Sequence, residues 1–252
     1  MIDAVVLTGR PDGTTARAVD VLRELPSEFR LIGGLAVLCR VGVPHRATVD
    51  LDALARRLDL FDDAIRSVAV SSTGGGQYVM PGRLELDVID VSPDDAETLT
   101  DQLLAHGGEV TDLEINTVGH TWAHDTATAV DITVLSEDTH QMLTRASGRP
   151  VASSAGLIAM KATTVPLRAS SRPEKRASDL YDLGRLIATT DGIRGLLDAP
   201  PLLRTTVGRH LEDWFVSPRG RDRTFRDVRR FDEAALDLDE VADIVAESGL
   251  TT

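Results

Sequence analysis

The chain has 252 residues, 42% of them hydrophobic, one cysteine, and a net charge of -13 from 27 basic and 40 acidic side chains. That is enough apolar material for one large core or two modest ones, and the charge excludes a protein that coats nucleic acid or membrane over its whole surface. No apolar run approaches the roughly 18 residues that cross a bilayer, and MIDAVVLTGRPDG lacks a secretory pattern, so a soluble, cytoplasmic protein is expected.

Taken in chain order, Val19 to Leu25 reads as the end of a short helix, and Ile32 to Val41 as a helix opened by the pair Gly33-Gly34. The lone Cys39 sits in this apolar segment and reads as a buried thiol. After a turn at Gly42 to Pro44, ATVDLDAL alternates as a strand, with Val49 and Leu51 on one face and Asp50 and Asp52 on the other. A helical piece from Leu54 to Ser67, the glycine-rich connection STGGGQ and the strand RLELDVIDV follow. Asp94 to His106 reads as a helix stopped by Gly107-Gly108, and AVDITVLS as another strand. From Ser153 onward the pattern is helical only, in LIAMKATTV, SDLYDLGRLIA, IRGLLDA, LLRTTVGRHLEDWF and FDEAALDLDEVADIVAES. The expected organisation is an α/β (α+β) core with a mixed sheet over residues 1–150, then an all-α domain over 151–252.

The acids carry the chemical signal. Residues two apart on a strand share a face, so Asp50 and Asp52 stand side by side and repel unless a cation lies between them. Mg2+ or Mn2+ suits that place, because a hard cation takes one or two carboxylates and completes its shell with water and phosphate oxygens. A third acid from a neighbouring strand is expected. Asp87 in RLELDVIDV is favoured, with Asp90 and Asp131 as alternatives that sequence alone leaves open. With fifteen residues between it and Asp50, the Gly33-Gly34 pair offers a helix start without bulky side chains, where backbone N–H groups can approach a triphosphate.

These residues resemble the AbiEii/AbiGii toxin family of nucleotidyltransferases, within the polymerase-beta-like superfamily. LIGGLAVLCRVGVPHRATVDLDAL is similar to the family's first motif, and GLIAMKATTVPLRASSRPEKRASDLYDLGRL to its later ones, so the likeness spans roughly residues 30 to 190. The resemblance implies a metal-dependent nucleotidyltransferase core whose helical domain contributes a lysine and an aspartate to the site. In that reading Asp50 and Asp52 bind metal, Lys161 contacts the phosphates of an NTP, Asp179 faces the site and Asp182 supports it. It also implies the toxin of a toxin–antitoxin or phage-defence system, with a cognate antitoxin and with the tRNA 3′ end as an acceptor. Transfer to a small-molecule or protein hydroxyl, and a catalytically silent nucleotide-binding protein, are the competing readings.

Arg219, Arg221, Arg223, Arg226, Arg229 and Arg230 fall within PRGRDRTFRDVRRF and form the candidate RNA-binding patch of an otherwise acidic chain. Their competing role is a solvated helix face paired with Asp222, Asp227 and the acidic tail. His120, Trp122 and His124 alternate in GHTWAHD without further ligands at useful spacing and are read as structural. STGGGQ lacks the lysine of a phosphate-binding P-loop and reads as a hairpin or lid.

Overall fold

Alternation of apolar and polar residues builds most of the sheet, and the computed structural model, which describes residues 3–43, 45, 46, 48, 50–168, 172–234 and 236–250, shows how the strands assemble. The strands are β1 (Asp3–Gly9), β2 (Arg30–Ile32), β3 (Asp50–Arg56), β4 (Ser71–Gly74), β5 (Gln77–Met80), β6 (Leu84–Val91), β7 (Thr128–Ser136) and β8 (Met142–Val151). They form one mixed sheet in the order β1-β7-β8-β2-β3-β6-β5-β4. β1 with β7, β8 with β2 and β3 with β6 run parallel, and the other neighbours antiparallel.

Clustering of the chain gives two compact units, the first holding residues 1–93 and 127–152 and the second 94–126 and 153–252. The first contains the sheet with helices α1 (Thr14–Glu24), α2 (Gly33–Val41) and α3 (Asp62–Val68). Its core is built from the inward face of the strands, including Leu51, Ala53, Leu86 and Val88, with Val19 and Leu22 of α1. The second unit holds α4 (Ala96–Ala105), α5 (Asp112–Asp125), α6 (Ser154–Arg168), α7 (Pro173–Thr189), α8 (Gly192–Gly195), α9 (Pro201–Leu211), α10 (Pro218–Val228) and α11 (Leu238–Glu247). Its described residues are helices and connections, with no strand. The chain therefore enters the helical unit twice, although its pattern turns wholly helical only near residue 150.

Several expectations are adjusted by the coordinates. The strand over ATVDLDAL runs on through Arg56, so the helical piece expected from Leu54 begins later, with a 3-10 turn at Leu58–Leu60 and then α3. GHTWAHD, whose residues read as structural, lies in α5, where His120, Trp122 and His124 spiral around the helix. STGGGQ is the hairpin between β4 and β5. The last predicted helix is broken, with a 3-10 segment Arg229–Ala234 and α11 from Leu238, where the Asp237 side chain accepts from the Asp239 and Glu240 N–H groups as an N-cap. Pro44 and Val49 lie outside the described residues.

Candidate active site

β3 presents Asp50 and Asp52 on one face and Leu51 and Ala53, fully buried, on the other. The parallel register with β6 sets Asp50 beside Glu85 and Asp52 beside Asp87, so four carboxylates stand in two cross-strand pairs on one sheet face. Sheet order therefore sets Asp87, of the three alternatives, beside Asp52. Asp90 is on the opposite face of β6 and accepts the Leu58 N–H at 3.1 Å. Asp131 is on β7, separated from β3 by β8 and β2. There its carboxylate accepts the Gly148 N–H at 2.7 Å and a hydrogen bond from Arg145 at 2.8 Å. Those bonds, the backbone N–H foremost, hold it below the usual carboxylate range.

The start of α2 abuts this face. Gly33 has φ +70°, and a Cβ there would fall 2.0 Å from Asp52 Oδ2, so only glycine fits without moving the carboxylate. A Cβ on Gly34 would come 2.8 Å from Thr48 Oγ1. That hydroxyl, which the sequence reading passed over, donates to the Asp50 carbonyl oxygen at 3.2 Å and lies 3.5 Å from Asp50 Oδ1, tying the entry of β3 to its first acid. The far end of α2 is fixed by Arg40, which donates to the carbonyls of Ala152 and Val151 at 2.9 and 2.7 Å. Cys39 is buried in the same helix, and burial pushes its thiol up to about 12, so it is inert at neutral pH.

Among the described residues no three His, Cys, Asp or Glu side chains are grouped so that they could hold a metal ion. Asp50 and Asp52 also have other polar partners. The donor set is nevertheless of the hard, anionic oxygen type that a Mg2+ or Mn2+ ion accepts when phosphate and water fill its remaining positions. It suits a shared protein and nucleotide site better than an all-protein one.

In the second unit, Lys161 of α6 is 4% exposed, and its Nζ lies 2.8 Å from Asp179 Oδ1 and 2.8 Å from Asp182 Oδ2, both on α7. Asp179 Oδ2 pairs with Arg168. The two acids, 4% and 0% exposed, share the Lys161 ammonium in a buried cluster, with Arg168 on Asp179 at its edge. The spacing of the acids, one helical turn apart, lets a single ammonium bridge them. Direct contact of Lys161 with phosphate would require this cluster to open. His120 on α5 is a further neighbour: its Nδ1–H donates to the Asn116 carbonyl at 2.8 Å. Burial lowers its pKa, opposed by that hydrogen bond and aided by the positive charge of Arg168, with Asp179 pulling the other way.

The six arginines of the candidate RNA patch separate by role. Arg219, Arg223 and Arg226 follow at i, i+4 and i+7 along α10 and are exposed, as is Arg229. Arg221 is paired with Asp239, and Arg230 donates to the Glu174 carbonyl at 3.4 Å with its guanidinium 5.4 Å from the Phe231 ring centre. Phe225, 59% exposed, stands among them.

No curated protein matches the chain. A family model described as nucleotidyl transferase AbiEii toxin, type IV toxin–antitoxin system, matches residues 18–246 and so includes the paired acids, the glycine pair and the Lys161 cluster. By this match over most of its length, the chain belongs to the AbiEii family of nucleotidyltransferase toxins.

Proposed function

We propose that the protein transfers a nucleoside monophosphate from an NTP to an acceptor hydroxyl on RNA, with the tRNA 3′ end as the acceptor. The observation that carries this reading is the row formed by Gly33, Asp52 and Asp87, in which a glycine-opened helix start stands next to carboxylates paired across two parallel strands. Asp50, Asp52 and Asp87 would hold Mg2+ or Mn2+, which when bound neutralises charge on the reacting phosphate. The free N–H groups at Gly33-Gly34 receive the triphosphate. In the reaction the acceptor oxygen forms a bond to the α-phosphorus, the α–β phosphoanhydride bond breaks, and pyrophosphate leaves. A carboxylate on this face, Asp87 foremost, takes the acceptor's proton. The exposed arginines Arg219, Arg223 and Arg226 of α10 grip RNA phosphates.

Family membership implies an NTP substrate and a cognate antitoxin. Among the described residues no helix is long and apolar enough to cross a membrane. The test is incubation with Mg2+, each α-labelled NTP and total bacterial RNA, beside Asp50→Ala/Asp52→Ala. Label in tRNA that disappears in the variant supports the reading. Turnover without labelled RNA moves the acceptor to a small-molecule or protein hydroxyl, and NTP binding without turnover indicates a silent nucleotide-binding protein.

A further inference from the structure

The strands flanking the acid row differ in chemistry. On the β2 side the start of α2 meets Asp52 through Gly33, a place for the anionic triphosphate. On the opposite side β5 runs antiparallel to β6 with Gln77 directly beside Asp87, so the Gln77 side chain rises from the same face as the carboxylates. Gln77 is exposed, while its neighbours Tyr78 and Met80 are buried. The hairpin that carries it is anchored: the Val88 N–H donates to the Gly76 carbonyl at 2.8 Å, and a Cβ on Gly76, whose φ is +83°, would fall 2.1 Å from the Val88 carbonyl oxygen. Ser72 Oγ donates to the Gln77 backbone carbonyl at 3.1 Å, and Thr73 Oγ1 to its carboxamide oxygen Oε1 at 3.4 Å. With that oxygen engaged, Gln77 Nε2 keeps two N–H donors that have no partner among the described residues.

We propose that Gln77 is an acceptor-recognition residue. The inference rests on the nucleotidyl-transfer reading above and extends it to the side from which the acceptor enters. In-line displacement puts the attacking and leaving oxygens on opposite sides of the phosphorus. With the leaving pyrophosphate on the α2 flank, the attacking hydroxyl arrives over β6 and β5. There the Gln77 amide donates to a sugar or phosphodiester oxygen of the polynucleotide end beside Asp87. A neutral donor suits this place, since it adds no positive charge to compete with a cation at the acids.

The experiment compares wild type, Gln77→Ala, Gln77→Glu and Thr73→Val with bulk bacterial tRNA as acceptor, and measures binding of each Mg2+–NTP by calorimetry in parallel. The expected result is a rise in acceptor KM of roughly three- to tenfold for Gln77→Ala, the size of one lost hydrogen bond. A larger rise is expected for Gln77→Glu, whose carboxylate repels the acceptor backbone, and a smaller one for Thr73→Val, with the NTP Kd unchanged throughout. An unaltered acceptor KM in both Gln77 variants, or a change confined to the NTP Kd, overturns the inference while leaving nucleotidyl transfer intact. A wild-type protein that transfers nothing to tRNA removes the underlying reading, and the inference with it.

Discussion

Lys161 and Asp52 are both charged residues in motifs, but their surroundings predict opposite consequences of substitution. Replacing Lys161 by Met removes the ammonium that both buried acids, Asp179 and Asp182, meet. Loss of one partner from such a group costs about 3 to 5 kcal/mol, so Lys161→Met should lower the urea midpoint strongly. Asp52→Asn removes one of four carboxylates on a partly open face, and should abolish nucleotidyl transfer while moving the midpoint much less. Equal shifts for the two would contradict the division into a buried structural cluster and a reacting face. Gly33→Ala tests the junction between Asp52 and the start of α2: with φ +70° and no room beside Asp52, it should cost about 1 to 2 kcal/mol of strain and displace the Asp52 carboxylate. Period-two spacing made the shared face of Asp50 and Asp52 legible from sequence, because a strand fixes which residues share a face. Which of Asp87, Asp90 and Asp131 stands beside Asp52 needed strand order, which is a long-range property, and the partners of Lys161 needed the packing of α6 on α7.

At the level of elements, the signals that were missed were short or cryptic. β2 has three residues, too few for any period to show. α5 carries a start signal in Thr111 and Glu114, which form a capping box, but its mixed polar and apolar sequence shows no clear helical stripe. α6 holds a subtler device. Pro166 has no N–H to give the Ala162 carbonyl, and His210 of α9 donates to that oxygen from Nδ1 at 3.0 Å instead. His210→Ala should therefore cost about 1 to 3 kcal/mol, the range for an unmet buried acceptor. Pro166→Ala restores a helical donor, so the cost of His210→Ala should shrink in that background, and additive effects in a double-mutant cycle would refute the substitution of one donor for the other. At the end of α10, reversing Arg226 and the following Arg229 to Glu should weaken RNA binding and flatten its salt dependence by about 0.7 to 0.9 in log–log slope per lost phosphate contact. Binding that keeps its affinity and slope would remove α10 as the RNA surface.

Across the whole molecule, sequence showed the change from mixed to helical pattern but not that α4 and α5 belong with the later helices, since chain order conceals which segments cluster. It also could not show how titration couples to stability. His120 and His210 both have pKa values lowered by burial. The groups facing His120 are Arg168 and Asp179, and those facing His210 are Arg209, Asp112 and Asp213. A histidine held below its ordinary value of about 6.5 binds fewer protons folded than unfolded, so its stabilising contribution is full above that value and is lost as pH falls toward the folded pKa. Carboxylates such as Asp131, also lowered, lose their contribution only below about pH 4, in a separate window. Between pH 7 and 5, approach to the isoelectric point near 4.8 relieves repulsion in a chain of net charge -13 and acts in the stabilising direction. The absolute pH curve therefore mixes two opposed effects, and the difference between wild type and His120→Gln/His210→Gln isolates the histidines. Glutamine retains a donor for the Asn116 and Ala162 carbonyls but cannot titrate. Urea denaturation at half-unit steps should show wild type losing stability relative to the double variant as pH drops from 7 to 5, with the two curves parallel above 7. Curves that stay parallel throughout would mean that both imidazoles protonate in the folded protein as easily as in the unfolded chain.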